Sequence, residues 1–241
     1  MLLKFLKSAK MGVMKENLIK FVVLILIFVG VVMSIILTKN SAKPLNVAFF
    51  GDSITQYGWE QEKGYVRQVV DLLDGNGIVI TPIPAGREGH TSFDLLERMD
   101  RDVLSKNPEV MFFMGGLNDI WLNKGTFKDY QNNISEIVQK AQDKNIKVVM
   151  MNLTIIGENT DSSMNKTINK YNDFLAQFAK EHSILLIDLN SEMKEALKDK
   201  KSSSNFLTKP DGVHLNERGN TLIARKIVKD FTTYYKNENA N

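Results

Sequence analysis

The stretch VAFFGDSIT, residues 47–55, is the part of the sequence that decides the fold. Its four leading apolar residues, 47–50, are typical of a β-strand that is covered on both faces. Gly51 and Asp52 then break the apolar run, so Ser53 follows at the carboxyl end of the strand. In open α/β sheets, ligands bind outside the carboxyl ends of the parallel strands. The stretch therefore predicts a parallel sheet with a serine hydroxyl at its ligand-binding edge.

Beyond this stretch, strand-like apolar runs alternate with segments whose apolar residues recur at helical spacing. The predicted strands are Asn46–Phe50, Ile78–Ile83, Glu109–Met114, Ile146–Leu153 and Ile184–Asp188. Residues 91–94 have the form of a capping box that opens a helix, and the last helix is expected at about 217–231. Five βα units of this length predict an α/β fold, a three-layer α/β/α sandwich with a five-stranded parallel sheet.

The composition excludes several classes of protein. The chain has 241 residues and no cysteine, which rules out disulfide bonds, thiol catalysis and thiolate metal sites. Residues 1–43 contain seven lysines and one acidic residue, so the 31 basic and 28 acidic residues of the whole chain leave 24 and 27 in the remainder. The positive sign of the net charge of +3 therefore comes from residues 1–43, and the remainder of the chain is slightly acidic. Because there is no long Lys/Arg stripe, we expect no nucleic acid as a partner.

Residues 21–38 are uncharged and almost wholly apolar. At about 1.5 Å per residue, a helix of this length nearly crosses a hydrocarbon core of roughly 30 Å. Five lysines precede the run, and Lys39 and Lys43 follow it. The positive-inside bias predicts a signal-anchor, a single-pass helix in the cell membrane with the N-terminus in the cytoplasm and the rest of the chain outside.

The competing interpretation of this run is a cleaved signal peptide, which would make the protein secreted. The apolar region of a signal peptide is usually about 7–15 residues long and ends in an A-x-A-like site, and residues 38–42 form a poor site. We therefore expect a cytoplasmic segment at 1–20, a transmembrane helix at 21–38, a linker at 39–44, one globular domain at 45–235 and a tail at 236–241.

Four short polar blocks follow predicted strands or lie in a terminal loop: Gly51–Ser53, Ala85–Ser92, Gly116–Asp119 and Asp211–His214. They contain a serine, an aspartate and a histidine, which are the parts needed for nucleophilic acyl transfer. In this order the blocks resemble the GDSL, or SGNH, hydrolase family, which is named for its Ser, Gly, Asn and His. The resemblance spans about residues 45–233 and implies a flavodoxin-like sheet.

The resemblance also implies the roles of five residues. Ser53 becomes the nucleophile, His214 the base that removes its proton, and Asp211 the group that orients the imidazole. Gly89 and Asn118 complete an oxyanion hole with the Ser53 amide. These residue types suit the roles, because a serine hydroxyl needs a neighbouring base and fixed N–H donors stabilise the charge of a tetrahedral intermediate. No metal or organic cofactor is expected.

The sequence departs from the family pattern at Pro84, which occupies the place of a usual Asn and cannot supply its side-chain hydrogen bonds. Either the setting of the Gly89 loop differs from that of the family, or a rigid proline fixes the loop instead. The stretch 51–55 also lacks the second glycine of the G-x-S-x-G elbow, which argues against an ordinary α/β-hydrolase.

Four further residues lie near the blocks and are candidates for the substrate pocket: Asp52, Trp59, His90 and Trp121. Each also has a structural interpretation. Asp52 would order its turn and His90 its loop, and the two tryptophans would pack in the core or at its rim.

The sequence therefore predicts a membrane-anchored serine esterase that cleaves a small acyl group, such as acetyl, from a carbohydrate, or an acyl chain from a lipid as a lysophospholipase does. One alternative is an O-acyltransferase, which would pass the acyl group to a sugar hydroxyl of a cell-surface glycan. Another is a catalytically inactive binding module. That alternative normally involves loss of a catalytic side chain, whereas Ser53, Asn118, Asp211 and His214 are all present.

Overall fold

The computed structural model describes residues 20–33, 43–198 and 205–238. The chain divides into two compact units, residues 1–43 and residues 44–241. In the first unit, residues 20–33 form a helix, and the remainder of the predicted segments 1–20 and 21–38 lies outside the described residues. Within the three described ranges, no helix is both long enough and apolar enough to cross a membrane.

The second unit is built on a five-stranded sheet whose neighbouring strands all run parallel. The strands are β1 Leu45–Gly51, β2 Ile80–Gly86, β3 Val110–Met114, β4 Lys147–Met151 and β5 Leu185–Ile187. Their order across the sheet is β2-β1-β3-β4-β5. The strand order reverses between β1 and β3, so their carboxyl ends border the crevice in which α/β proteins of this type bind ligands. The predicted five-stranded parallel sheet is confirmed.

Helices lie on both faces of this sheet. They are α1 Ser53–Glu60, α2 Tyr65–Gly75, α3 Ser92–Asp102, α4 Leu117–Trp121, α5 Phe127–Asp143, α6 Ser163–Glu181, α7 Leu189–Lys198 and α8 Glu217–Glu238. Right-handed crossovers place α2 on one face and α3, α5 and α6 on the other. Helix α8 then returns to pack against α2 and α7. The result is the three-layer sandwich that the alternation of strands and helices predicts.

Neighbouring phenylalanines of β1 show how the two faces are covered. Phe49 stacks on Phe112 of β3 at 5.2 Å between ring centroids, and the edge of Phe231 from α8 meets Phe112 at 4.9 Å. Phe50 points to the opposite face, where it contacts Phe113 at 5.6 Å. Because successive side chains of a strand alternate between faces, an uninterrupted apolar run is needed to fill both layers, as residues 47–50 do.

Two strands end two or more residues away from the expected position. β4 stops at Met151 instead of Leu153, because the Asn172 side chain takes over the backbone hydrogen bonds of Leu153, donating to its carbonyl at 2.9 Å and accepting from its N–H at 2.8 Å. β2 runs on to Gly86 and contains Pro82 and Pro84. Prolines two apart remove N–H donors from the same side of a strand, so they are tolerated on this outer strand and reduce its tendency to pair further.

The last helix is longer than expected. It begins at Glu217, as predicted, but continues to Glu238 instead of ending near Phe231. Tyr234 and Tyr235 pack against the core, and Tyr235 contacts Phe231 at 5.7 Å between ring centroids. The apolar face therefore extends beyond Phe231, and residues 236–238 of the segment predicted as a tail are helical.

Candidate active site

Ser53 is the first residue of α1, directly after the turn that ends β1. Asp52 caps this helix, because its Oδ1 accepts the Ile54 N–H at 3.0 Å. A side chain on Gly51 would collide with Thr55 and with the Met114 carbonyl, so only glycine allows so tight a strand-to-helix turn. The start of a helix leaves N–H groups without intrahelical partners. The Ser53 amide is therefore available to a ligand beside the Ser53 hydroxyl.

His214 and Asp211 come from the other end of the domain and complete a hydrogen-bonded line with Ser53. The His214 Nε2 lies 2.9 Å from the Ser53 Oγ. On the opposite side of the ring, Nδ1 lies 2.9 Å from the Asp211 Oδ2. The structure thus brings together the three residues that sequence reasoning assigned to nucleophile, base and orienting acid.

Asp211 also shapes the turn that carries the histidine. Its Oδ1 accepts the N–H groups of Val213 and His214, each at 2.8 Å. Burial alone would raise the pKa of Asp211, but the hydrogen bonds from the His214 side chain and from these two N–H groups outweigh it, and the pKa is lowered. An ionised carboxylate beside Nδ1 favours the tautomer with its proton there, which leaves Nε2 free to accept the proton of Ser53.

Contacts that the sequence did not indicate hold this turn in place. Glu158 lies in the loop after β4, and its carboxylate accepts the N–H groups of Leu207 at 2.7 Å and Thr208 at 3.2 Å. The N–H of Gly157 donates to the Gly212 carbonyl at 2.6 Å. The ring of Tyr57 meets the imidazole of His214 edge-on, with 4.9 Å between centroids. The loop after β4 therefore supports the acid–histidine turn from outside the four sequence blocks.

The two expected oxyanion donors lie on adjoining loops. Gly89, in the loop between β2 and α3, has a φ of +74°, a conformation that favours glycine. Asn118 is the second residue of α4, and its Nδ2 donates to the His90 carbonyl at 2.9 Å. The amide has a second N–H that can donate to a substrate oxygen. One hydrogen bond of the Asn118 amide thus ties α4 to the Gly89 loop, and its second N–H remains available to a ligand.

The structure shows what replaces the usual Asn at Pro84. Pro84 lies in β2, exposed and opposite Phe49, and the loop that follows is held by other groups. The N–H of Arg87 donates to the Gly51 carbonyl at 3.1 Å, and the N–H of Glu88 donates to the Gln56 Oε1 at 2.7 Å. The Gly89 loop is therefore anchored to the start of α1, next to Ser53.

Arg98 is the principal residue that sequence reasoning missed. Its guanidinium is almost wholly buried and donates to the carbonyl of Gly51, the last residue of β1, at 2.7 Å and to that of Ala85, the last but one of β2, at 2.9 Å. Its Nε donates to the Nδ1 of His90 at 3.1 Å. Burial, followed by the charge of Arg98, lowers the pKa of His90. The bond from Arg98 thus ties the imidazole of His90, and with it the Gly89 loop, to α3.

Asp52 and Asp119, which adjoin Ser53 and Asn118 in sequence, are buried carboxylates. Asp119 accepts the backbone N–H of Ser92 at 2.8 Å and also the Ser92 hydroxyl, so it joins the Asn118 loop to the start of α3. Burial raises its pKa. Burial also raises the pKa of Asp52, to about 6, and its Oδ2 has no hydrogen-bond partner among the described residues. Both carboxylates accept backbone N–H groups at the start of a helix, Asp52 from Ile54 and Asp119 from Ser92.

The tryptophans occupy different settings. Trp59 is half-buried against the core, with the Arg67 guanidinium 4.7 Å from its ring centroid. Trp121 ends α4 and is 50% exposed. Trp59 thus has the packing role that competed with a pocket role, whereas Trp121 faces solvent near Asn118. In the described ranges, no group of three or more His, Cys, Asp or Glu side chains is arranged to hold a metal ion.

The chain is similar in sequence and fold to known proteins. The GDSL-like Lipase/Acylhydrolase family matches residues 49–222. An acetylxylan esterase from Geobacillus stearothermophilus is 26% identical over 203 residues, covering 76% of this chain and 91% of that protein. The crystal structure of an acetyl xylan esterase, AlAXEase, is 33% identical with a TM-score of 0.67, over 76% of this chain and 98% of its own. The crystal structure of Axe2, an acetylxylan esterase from Geobacillus stearothermophilus, is 26% identical with a TM-score of 0.69, over 77% and 93% of the two chains.

Proposed function

The chain belongs to the GDSL-like lipase/acylhydrolase family and is a carboxylic ester hydrolase, and on this premise we propose that it removes acetyl groups from carbohydrate esters through an acyl-enzyme on Ser53. The observation that carries the proposal is the line of hydrogen bonds from the Ser53 Oγ through His214 to Asp211, with 2.9 Å at each step. This line provides a nucleophile, its base and the group that orients the base.

The first half-reaction follows from the positions of these groups. The Ser53 Oγ attacks the carbonyl carbon of the ester while its proton passes to the Nε2 of His214. The negative charge that develops on the former carbonyl oxygen is stabilised by the N–H groups of Ser53 and Gly89 and by the Asn118 amide. The C–O bond to the alcohol then breaks, and His214 returns the proton to the departing oxygen.

The second half-reaction repeats these steps with water. His214 removes a proton from water, the resulting hydroxide attacks the acyl carbon, and Ser53 leaves with the proton from His214. A sugar hydroxyl in place of water would give acyl transfer, and a lysophospholipid would be a substrate of the same chemistry. The resemblance to acetylxylan esterases over nearly their whole length supports hydrolysis of acetyl esters of a sugar chain as the main activity.

The test compares the full chain in detergent with its Ser53→Ala variant. We expect the wild-type protein to hydrolyse p-nitrophenyl acetate and to release acetate from acetylated xylo-oligosaccharide, and the variant to lose roughly 10³-fold or more in kcat on both. Equal rates for the two proteins would refute the proposal. Formation of newly acetylated sugar in preference to free acetate would favour the transferase, and release of fatty acid from lysophosphatidylcholine without acetate release would favour the lipase.

We further propose that residues 21–38 anchor the protein in the cell membrane with the esterase domain outside. The support is the uncharged apolar run with five lysines before it. In addition, the large apolar side chains of residues 21–33 are exposed, which suits a lipid environment better than water. Full-length protein should sediment with membranes after alkaline washing, whereas residues 44–241 should not. Recovery of a shortened, freely soluble chain outside the cell would instead indicate cleavage.

A further inference from the structure

A concave feature lies between α3 and the turn after α4. It is a cleft of about 530 Å³ that includes Gly89, the expected oxyanion donor, at one end. One wall is the first turn of α3 around Phe93, and the other is the turn after α4 around Leu122 and Lys124. A ligand whose ester carbonyl lies at Gly89 could therefore extend into this cleft. We refer to it below as the Phe93 cleft.

The lining of the Phe93 cleft combines apolar surface with several hydrogen-bonding groups, as a ligand with both apolar and hydroxyl-bearing faces requires. Phe93 and Leu122 are the large apolar side chains among the eleven residues that line it, and seven of the others carry a side-chain hydroxyl, amide, carboxylate or ammonium group. Covering such groups with a lipid tail would remove their water without providing hydrogen bonds in return. A ligand that carries hydroxyl groups could bond to them instead.

Exposed apolar side chains are concentrated at this cleft. In the part of the chain after residue 43 that the structure describes, the exposed large apolar residues are Leu72, Val79, Phe93, Trp121 and Leu122. Phe93 is 64% exposed and Leu122 is 45% exposed, and both line the cleft; Trp121 precedes Leu122 in sequence. An exposed aromatic face beside polar groups can cover the apolar C–H face of a sugar ring.

The charges of the cleft also indicate which polar ligand fits. Asp94 and Asp129 line it together with the ammonium group of Lys124. Burial raises the pKa of Asp94, but hydrogen bonds from Thr91 outweigh this effect and the pKa is lowered. Hydrogen bonds from Thr126 lower the pKa of Asp129. Both carboxylates therefore stay ionised. In each carboxylate the bonds go to Oδ2. The other oxygen of each carboxylate, Oδ1, can accept a hydrogen bond from a ligand hydroxyl. The net negative charge of the cleft disfavours an anionic headgroup.

We propose that the Phe93 cleft binds the uncharged sugar chain that carries the ester. Phe93 stacks on a sugar ring, and Asp94 and Asp129 accept hydrogen bonds from the sugar hydroxyl groups. This inference rests on the proposed function, since it names where the carbohydrate part of the substrate lies. It also makes Phe93 a residue that determines specificity for the alcohol part of the ester.

The test measures binding separately from catalysis. In the full-length Ser53→Ala protein, which cannot turn over substrate, the Kd for xylotetraose is determined by calorimetry with and without a further Phe93→Ala change. We expect the Kd to rise about three- to tenfold. Leu72→Ala is the matched control, because Leu72 is also exposed and apolar but lies on α2, outside the cleft lining. It should leave the Kd unchanged.

Three results would overturn the inference. They are an equal Kd with and without Phe93, no binding of xylotetraose at all, and Phe93-dependent binding to phosphatidylglycerol vesicles that exceeds binding to the sugar. These outcomes are independent of the Ser53 assay: a protein that hydrolyses p-nitrophenyl acetate but binds the sugar equally well without Phe93 would retain its esterase assignment and lose this subsite.

Discussion

Asp52 is a carboxyl group whose pKa depends strongly on its buried position. It is 1% exposed, immediately before the nucleophile, and burial raises its pKa from 3.8 to about 6. The native protein therefore holds this proton more tightly than the unfolded chain does. The contribution of this group to stability is fully present below about pH 4 and is lost as the pH rises through about 6. The loss amounts to about 3 kcal/mol at most.

This linkage predicts the pH dependence of an Asp52→Asn variant. Asparagine keeps the oxygen that caps α1 but does not titrate. The quantity to compare is the free energy of unfolding of the variant minus that of the wild type. This difference should increase by as much as about 3 kcal/mol between about pH 4 and pH 7.5. Urea denaturation at the two pH values measures the difference. The same difference at both pH values would contradict the account of Asp52.

At the scale of single elements, the Gly89 loop offers a direct test of the oxyanion hole. Gly89→Ala places a side chain at a φ of +74° where no neighbour lies within 4 Å, so the cost is conformational and not steric. The variant should lose about 1–2 kcal/mol of stability. As the loop relaxes, the Gly89 N–H turns away from the substrate oxygen, and kcat for p-nitrophenyl acetate should fall roughly 10²-fold.

Gly77→Ala is the matched control for this change. Gly77 has a φ of +78° and equally open space, but it follows α2 and is exposed outside the four sequence blocks. The control should lose a similar amount of stability and keep its activity. If Gly89→Ala and Gly77→Ala have the same kcat, the Gly89 N–H does not stabilise the transition state.

Helix α3 contributes through Arg98, which links the ends of β1 and β2. Arg98→Met removes two hydrogen bonds from a charged donor to buried carbonyls, each worth about 1.5–3 kcal/mol, while Asp102 keeps Arg87 and Arg101 as partners. We therefore expect a loss of about 3–5 kcal/mol in the free energy of unfolding. Arg101→Met is the control. Arg101 pairs with the same Asp102 but its side chain is 69% exposed, so its loss should cost far less than the loss of Arg98. Equal costs in denaturant titrations would contradict the role of Arg98.

At the scale of the whole molecule, the sequence predicts those parts of the fold and site that a short stretch of neighbouring residues determines. The apolar run before Ser53 and the short spacing of Asp211 and His214 indicate a strand end and a turn without any knowledge of packing. Arg98 carries no such signal, because an arginine four residues before an aspartate on a helix is typical of a solvated ion pair. Its burial depends on where the ends of β1 and β2 lie in space.

The same reasoning explains why the Phe93 cleft and Glu158 were not foreseen. The walls of the cleft come from residues around positions 93 and 122, which the sheet brings together only after folding. Glu158 contacts residues 207 and 208, about fifty positions away. A single sequence indicates which side chains are chemically capable, whereas contacts between distant loops follow from the order of the strands.

The central claim is that His214, oriented by Asp211, makes the Ser53 hydroxyl a nucleophile. The most direct measurement is mass spectrometry of the full-length protein after treatment with a fluorophosphonate, which reacts with an activated serine. The account predicts one adduct per chain on Ser53 and a labelling rate that falls roughly 10²-fold or more in a His214→Ala variant. Labelling at another residue, or a rate that does not depend on His214, would contradict it.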